Sequence, residues 1–168
     1  MAVTYTPIAS TILSSTASSV SFSSLTTSYT DLVIRAYCQS ALGGGPNSGY
    51  LGIQFNGTSV SSGFFRNLLT GSTTETSSSS LGFASINASS TDNGSYFTTS
   101  EIYIPSYQQN NYHVIRSLTG VEYAGNLIYT SAGGNGVYTS QTITSIALFP
   151  NTTFAVGSRF DLYGILKY

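Results

Sequence analysis

Few side chains in this 168-residue chain could support catalysis, and their spacing does not group them. His113 is the single histidine, so a catalytic triad or a histidine-based metal site would have to use it. No H-x-H or H-x-x-x-H pair of metal ligands is therefore possible. We interpret His113 as a structural or surface residue, and the sequence predicts no metal site and no cofactor.

Paired carboxylates are the next candidates, because glycoside hydrolysis needs two of them about 5–10 Å apart across a cleft. The acids that could form such a pair are Asp31, Glu101 and Asp161. Asp31 and Asp161 each stand near the start of a predicted strand, where a carboxylate often forms a salt bridge or caps a turn. Glu101 is expected to face solvent or a subunit interface. The sequence therefore predicts no catalytic residue and no enzymatic activity.

Other short motifs give no better site. No G-x-S-x-G nucleophile motif occurs on a strand–turn–helix. The glycine-rich loop 43–46 lacks the G-K-[ST] ending of a phosphate loop. Four Asn-x-Ser/Thr sequons are expected by chance in a chain of which serine and threonine make up roughly a third, and they would matter only in a secreted eukaryotic protein. Their asparagines are Asn56, Asn87, Asn93 and Asn151.

Charge is scarce in this chain and sets limits on its partners. Charged residues make up 7% of the sequence, against about 25% in an average protein. The five basic residues are scattered, whereas binding to a nucleic acid needs several of them on phosphates. No basic segment precedes an apolar run at the N-terminus, and no apolar stretch is long enough for a membrane helix. We expect a protein made in the cytoplasm, without nucleic-acid or membrane partners.

The elements that must carry any site are strands. Tyr, Phe, Thr, Val and Ile are abundant and suit a pleated, half-buried surface, whereas the helix formers Lys, Glu, Arg and Met are nearly absent. Alternating apolar segments separated by turn residues are typical of a sandwich or barrel. The predicted strands cover 17–25, 31–38, 50–55, 81–88, 95–104, 112–121, 142–149 and 158–167.

Several segments have a more specific interpretation. Residues 31–38 alternate, which puts Cys38 on an apolar face as a buried small hydrophobe. The dipeptide Asn56-Gly57 is a strong signal for a tight turn. The apolar segment 158–167 is predicted to be a central strand that ties down the end of the chain. Residues 70–80 are predicted to be a mobile loop, and residues 131–136 a tight or mobile turn.

Together these patterns predict an all-β fold: a single jelly-roll-like antiparallel β-sandwich with a short N-terminal arm. Residues 1–16 form that arm or a first edge strand, and residues 17–168 form the β-sandwich domain. The polar N-terminal segment could pair with the sheet edge of a neighbouring molecule.

A possible interface lies in the segment 105–114. Tyr rings beside Asn and Gln are typical of a protein interface or a sugar-binding face, because flat amphipathic rings bind at low entropy cost. The residues concerned are Tyr107, Gln108, Gln109 and Tyr112. Subunit interface, plain sheet packing and glycan contact are the three interpretations of this segment.

Motifs in residues 18–38, 50–59 and 143–167 resemble those of small virion proteins encoded by tailed bacteriophages, especially aquatic ones. The first is SSVSFSSLTTSYTDLVIRAYC (18–38), with a Ser-rich strand that leads to a "YTDLV" strand. The second is ITSIALFPNTTFAVGSRFDLYGILK (143–167), which ends in an "LYGI" strand. The third, YLGIQFNGTS (50–59), is similar to their "IRFNGD" segment, with Gln54 for the basic residue and Thr58 for the acid. The resemblance implies a jelly-roll-like β-sandwich found in virions.

What the resemblance implies about function is a capsid decoration, or cement, protein on the outer surface of a tailed-phage head. Its partners would be the major capsid protein and itself, as a homotrimer or homodimer. The alternative is a tail-fibre or baseplate-associated module that binds a host receptor or glycan. The segments that carry the resemblance are mostly core and turn positions, so they do not decide between these two functions.

Overall fold

Strands account for the fold, as the abundance of β-branched and aromatic residues predicts. The computed structural model describes residues 4–26, 28–40, 49–59, 62–70, 73–79, 83–89, 97–110, 113–123, 127–137 and 141–166. Within these ranges there are thirteen strands and no helix. The first seven are β1 (Thr4–Ile12), β2 (Val20–Phe22), β3 (Asp31–Ser40), β4 (Gly49–Phe55), β5 (Thr58–Ser59), β6 (Ser62–Thr70) and β7 (Thr73–Ser79). The others are β8 (Phe83–Ser89), β9 (Thr98–Ile104), β10 (His113–Tyr123), β11 (Leu127–Val137), β12 (Ile146–Pro150) and β13 (Arg159–Leu166).

The strands form two antiparallel sheets. The large sheet has the order β1-β13-β3-β9-β10-β11-β6-β7. The small sheet has the order β2-β12-β4-β8, and β5 pairs with β4 at a hairpin. A short parallel pairing of Gln39 and Ser40 in β3 with the end of β8 joins the two sheets. The all-β, sandwich-like architecture predicted from the sequence is therefore confirmed, whereas the jelly-roll connectivity stays a prediction.

The core is built by the alternation of side chains along each strand. In β3 every second residue, from Leu32 to Cys38, is buried, and the residues between them include the exposed Arg35 and Tyr37. The inward residues of the large sheet pack with those of the small sheet in one cluster. Its fully buried members include Leu32, Ile34, Leu51, Ile53, Phe55, Ile102, Ile146, Leu148, Phe160 and Leu162.

Both ends of the described chain are held in the large sheet. Strand β13 lies between β1 and β3, so the prediction of a central terminal strand is confirmed. Strand β1 pairs along its length with β13 of the same chain, with a bulge between Pro7 and Ala9. The described residues from Thr4 to Ile12 thus lie at the edge of the large sheet, and the division of the chain at residue 16 stays a prediction.

Two segments were predicted wrongly as loops. Residues Thr73–Ser79, inside the predicted loop 70–80, form β7 and pair with β6. Ladder hydrogen bonds and β-branched threonines support a strand there without a run of apolar residues. Residues 131–136 lie inside β11, which pairs on one side with β10 and on the other with β6. Their glycines mark a register shift between Gly134 and Gly136, as is common for glycine inside a strand.

Cys38 is expected to react with a thiol reagent only after the protein unfolds. Its side chain is fully buried, and this burial raises the pKa of the thiol far above the ordinary range. Because the thiolate is the reactive species, the native protein should stay unlabelled. Absorbance with an aromatic disulfide reagent should reveal one thiol per chain in guanidinium chloride and almost none in native buffer. Rapid labelling of the folded protein would contradict the buried position.

Candidate functional site on the outer face of the large sheet

The outward side chains of five neighbouring strands form a continuous surface on the large sheet. Register sets this surface: Val33 lies between Tyr163 and Tyr103, and Tyr103 lies beside Arg116. In the next row, Arg35 lies between Asp161 and Glu101, and Glu101 lies beside Leu118. We name this surface the outer-face patch and define it as Tyr5, Arg35, Glu101, Tyr103, Arg116, Leu118 and Tyr163.

Aromatic rings and guanidinium groups pack against one another in the patch. The Tyr5 and Tyr163 rings meet edge to face, with centroids 6.2 Å apart. The Arg35 guanidinium carbon lies 5.3 Å from the Tyr5 ring centre and 5.5 Å from that of Tyr163. These distances are within the range of cation–π attraction. Val33 lies beneath this layer and is only 1% exposed, so the rings and guanidinium groups form a packed platform.

The charges of this face form a row of alternating sign. The Arg35 Nε donates to the Glu101 carboxylate at 3.0 Å, and this hydrogen bond raises the pKa of the guanidinium. Arg159 donates to Asp161 at 2.8 Å, and the Ser10 hydroxyl donates to the other oxygen of the same carboxylate. Since Arg35 and Glu101 are each about half exposed, their pair contributes at most about 1 kcal/mol to stability.

The three carboxylates considered for catalysis each have partners within the described chain. Glu101 and Asp161 lie on either side of Arg35 and each pairs with an arginine, an arrangement unlike two acids that face each other across a cleft. Asp31 is fully buried at the start of β3. It accepts hydrogen bonds from the Ser106 backbone N–H at 2.9 Å and from the Tyr103 hydroxyl. Asp31 thus joins β3 to the turn after β9 and fixes the Tyr103 ring.

His113 is a structural residue in the interior. Its side chain is 2% exposed, and its Nε2 atom lies 3.2 Å from the Gln141 carbonyl oxygen. Among the described residues, no group of three or more His, Cys, Asp or Glu side chains is placed to hold a metal ion. The same ranges contain no helix that is long and apolar enough to span a membrane.

The predicted interface in 105–114 has a different structural role at each described position. Tyr107 is 1% exposed, and its hydroxyl donates to the Thr26 carbonyl, so its ring belongs to the core. Gln108 donates through Nε2 to the Tyr29 carbonyl and is half-buried. Gln109 is exposed, and Tyr112 lies outside the described residues. Tyr107 and Gln108 therefore hold the segment to the core, and a contact role stays a prediction for its exposed residues.

The sequence pattern pointed to some residues of the patch without assembling it. Period-two alternation along β3 and β13 places Arg35 and Tyr163 on the side opposite the buried Ile34 and Leu162. Their assembly into one surface depends on the order of strands β1, β13, β3, β9 and β10, which are distant in sequence. A signal for that order would be covariation between paired positions such as Arg35 and Glu101.

Comparisons with family models, with curated proteins and with solved structures give no match for this chain.

Proposed function

We propose that this protein is a non-enzymatic structural protein of a tailed-phage virion, which decorates and stabilises the outer capsid surface as a cement protein. It binds the major capsid protein through the outer-face patch and associates with itself as a homotrimer or homodimer. Its place of action is the virion, after synthesis in the host cytoplasm. The jelly-roll connectivity is part of the same proposal.

The observation that carries the proposal is the concentration of exposed apolar and aromatic side chains on the large sheet. Tyr5 is 43% exposed, Leu118 57% and Val114 54%, and all three lie on or beside the patch. Large exposed apolar surfaces on a soluble protein usually mark contact sites. Tyrosine and arginine are also the residue types that dominate binding energy at protein interfaces. A packed platform of this kind suits contact with a protein surface.

The segments that resemble phage virion proteins support the proposal through the strands that they form. Strand β2, from the first segment, pairs with β12, from the second, and β12 pairs with β4 in the third. Strands β3 and β13, also from the first and second segments, pair with each other. The resemblance therefore falls on neighbouring strands that together build the core.

The mechanism of reinforcement is mass action. A protein that binds only the assembled shell stabilises that shell by its binding free energy. Weak contacts repeated over a symmetric lattice add through multivalency, so no single contact needs high affinity. The low charge of the chain agrees with this role, since neighbouring copies on a shell would repel one another little.

Copy number per virion tests the proposal directly. Quantitative mass spectrometry of purified particles should give on the order of hundreds of copies, in simple proportion to the major capsid protein. Heads that lack the protein should also burst at a lower temperature or milder osmotic shock. A count of roughly three to a few dozen copies would instead place the protein on the tail or at a vertex and favour the receptor-binding alternative.

A further inference from the structure

We propose that Arg116 is an anchor for an aspartate or glutamate side chain of the partner protein, which enters the depression beside Tyr103 and Leu118. This inference rests on the proposed function, because it names the chemistry with which the outer-face patch recognises its partner. The site consists of the Arg116 guanidinium group, the Tyr103 ring beneath it and the apolar rim that includes Leu118.

Arg116 is the arginine of this face whose charge is not matched by a described carboxylate. Arg35 is paired with Glu101, and Arg159 with Asp161. Among the described side chains, Arg116 forms no ion pair; its contact is with the Tyr103 ring, 5.4 Å from guanidinium carbon to ring centre. A cation that a ring orients but no anion neutralises is complementary to a carboxylate from outside.

The support under Arg116 is fixed before any partner arrives. The Tyr103 hydroxyl donates to the buried Asp31 carboxylate, which also accepts the Ser106 N–H. The Tyr103 ring is therefore fixed at one end by the backbone of β9 and at the other by its hydroxyl. The Arg116 guanidinium lies over this fixed ring. Ordering the site in advance reduces the entropy that binding must overcome, which favours recognition by this group.

The shape of the site suits a side chain rather than an extended polyanion. The depression has a volume of about 330 Å³ and is lined by Tyr5, Val33, Glu101, Tyr103, Arg116, Ser117 and Leu118. Its rim includes Leu118, and Val114 follows on the same face of β10, both more than half exposed. Because Arg35 neutralises Glu101, Arg116 is the unmatched charge among these lining residues, and it fits an acidic side chain flanked by apolar residues. A nucleic acid would need several cations grouped on its phosphates, whereas Arg116 is the one basic residue among those that line this depression.

Binding to phage heads assembled without this protein tests the inference. The purified 168-residue chain should bind these heads, and Arg116→Gln should weaken the affinity by about tenfold or more, with a smaller salt dependence. Arg116→Lys keeps the charge but loses the planar fork, so it should recover only part of the affinity. Arg159→Gln is the control for charge, since it removes the same charge from β13, a strand that β3 and β9 separate from β10, and it should change affinity by less than about twofold.

The outcomes separate this inference from the proposed function. If the wild-type chain binds heads and Arg116→Gln binds equally well, the anchor is wrong and the decoration role stands. If the wild-type chain does not bind heads at all, both proposals are wrong. If an oligogalacturonate, used as an acidic glycan probe, binds the wild-type chain and loses its affinity with Arg116→Gln, the anchor serves an acidic sugar and not a protein carboxylate. Thermal unfolding of each variant should match the wild type, because Arg116 is exposed.

Discussion

Replacing Gly164 by alanine is expected to lower the free energy of unfolding by about 3 kcal/mol or more. A Cβ atom at this position would lie 2.2 Å from the Cγ atom of Tyr29 and within 2.5 Å of both Cδ atoms. The clash includes the Cγ atom, which rotation about χ2 does not move, so relief would require a change of χ1 that takes the ring away from the core it packs against. In a chain of this length, the change corresponds to a drop in Tm of about 6–12 °C.

The backbone around Tyr29 cannot move away either. The Tyr29 carbonyl accepts a hydrogen bond from Gln108, and the next residue, Thr30, donates twice to the Ile165 carbonyl at 2.9 Å. Residue 164 therefore needs glycine because a tyrosine ring covers its strand, and the need does not come from a left-handed backbone conformation. An aromatic ring over a strand glycine also protects the sheet backbone from water.

Two other glycines provide graded controls. Gly120 lies in strand β10, and a Cβ atom there would meet nothing within 4 Å, so Gly120→Ala should leave stability unchanged or slightly raised. Gly52→Ala should have an intermediate effect, since its Cβ atom would lie 2.4 Å from the Cε2 and Cζ atoms of Phe149, the far end of a side chain that can rotate. Equal stability of all three variants in thermal and urea unfolding would contradict the packing of Tyr29 on Gly164.

A double-mutant cycle tests the mechanism itself. Tyr29→Ala removes the ring and should destabilise the protein by loss of packing. If the Gly164 effect is a clash with that ring, adding Gly164→Ala to Tyr29→Ala should cost little further stability. Strictly additive losses would show that Gly164 is required for another reason, and the proposed packing would then be wrong.

Local patterns predicted the class of fold because they depend on neighbours in sequence. Period-two alternation identified the buried face of β3, and the glycine-turn signal at Asn56-Gly57 is confirmed, with φ angles of 51° and 77° at the two residues. The same logic misjudged residues 70–80 and 131–136. It treated small polar residues and glycines as breakers, whereas both segments are paired with adjacent strands.

The candidate site could not be predicted in the same way because it depends on which strands are neighbours. Arg35, Glu101 and Leu118 lie on three strands, and only register brings them into one row. The single segment that looked like an interface, 105–114, contains aromatic and amide side chains that also serve internal packing. Tyr107 illustrates this ambiguity, since its ring is buried while its hydroxyl reaches the Thr26 carbonyl.

Replacing Asn56 by alanine should lower the free energy of unfolding by about 2–4 kcal/mol. The Asn56 side-chain oxygen accepts hydrogen bonds from the Thr144 N–H at 2.8 Å, the Thr144 hydroxyl at 3.0 Å and the Ser145 N–H at 3.1 Å. Its amide donates to the Thr142 carbonyl at 2.8 Å. This one side chain thus fastens the β4–β5 turn to the segment that enters β12.

Two substitutions at the same position separate the contributions to this effect. Asn56→Gly loses the hydrogen bonds but accepts the positive φ angle, so it should be more stable than Asn56→Ala by about 1 kcal/mol. Asn56→Asp keeps the acceptor for both backbone N–H groups but turns an oxygen towards the Thr142 carbonyl. Asn56→Asp should therefore be more stable than Asn56→Ala, because three of the four side-chain hydrogen bonds survive.

The measurement is urea unfolding of the wild type and the three variants, followed by fluorescence of the tyrosines. We expect the order of stability wild type, Asn56→Asp, Asn56→Gly, Asn56→Ala. If Asn56→Gly were as stable as the wild type, the side chain would contribute nothing beyond its tolerance of the turn.

Strand β12 pairs with both β2 and β4. Loss of the Asn56 hydrogen bonds should therefore destabilise the small sheet first. The outer-face patch lies on the other sheet, so Asn56→Ala should still bind phage heads below its unfolding transition.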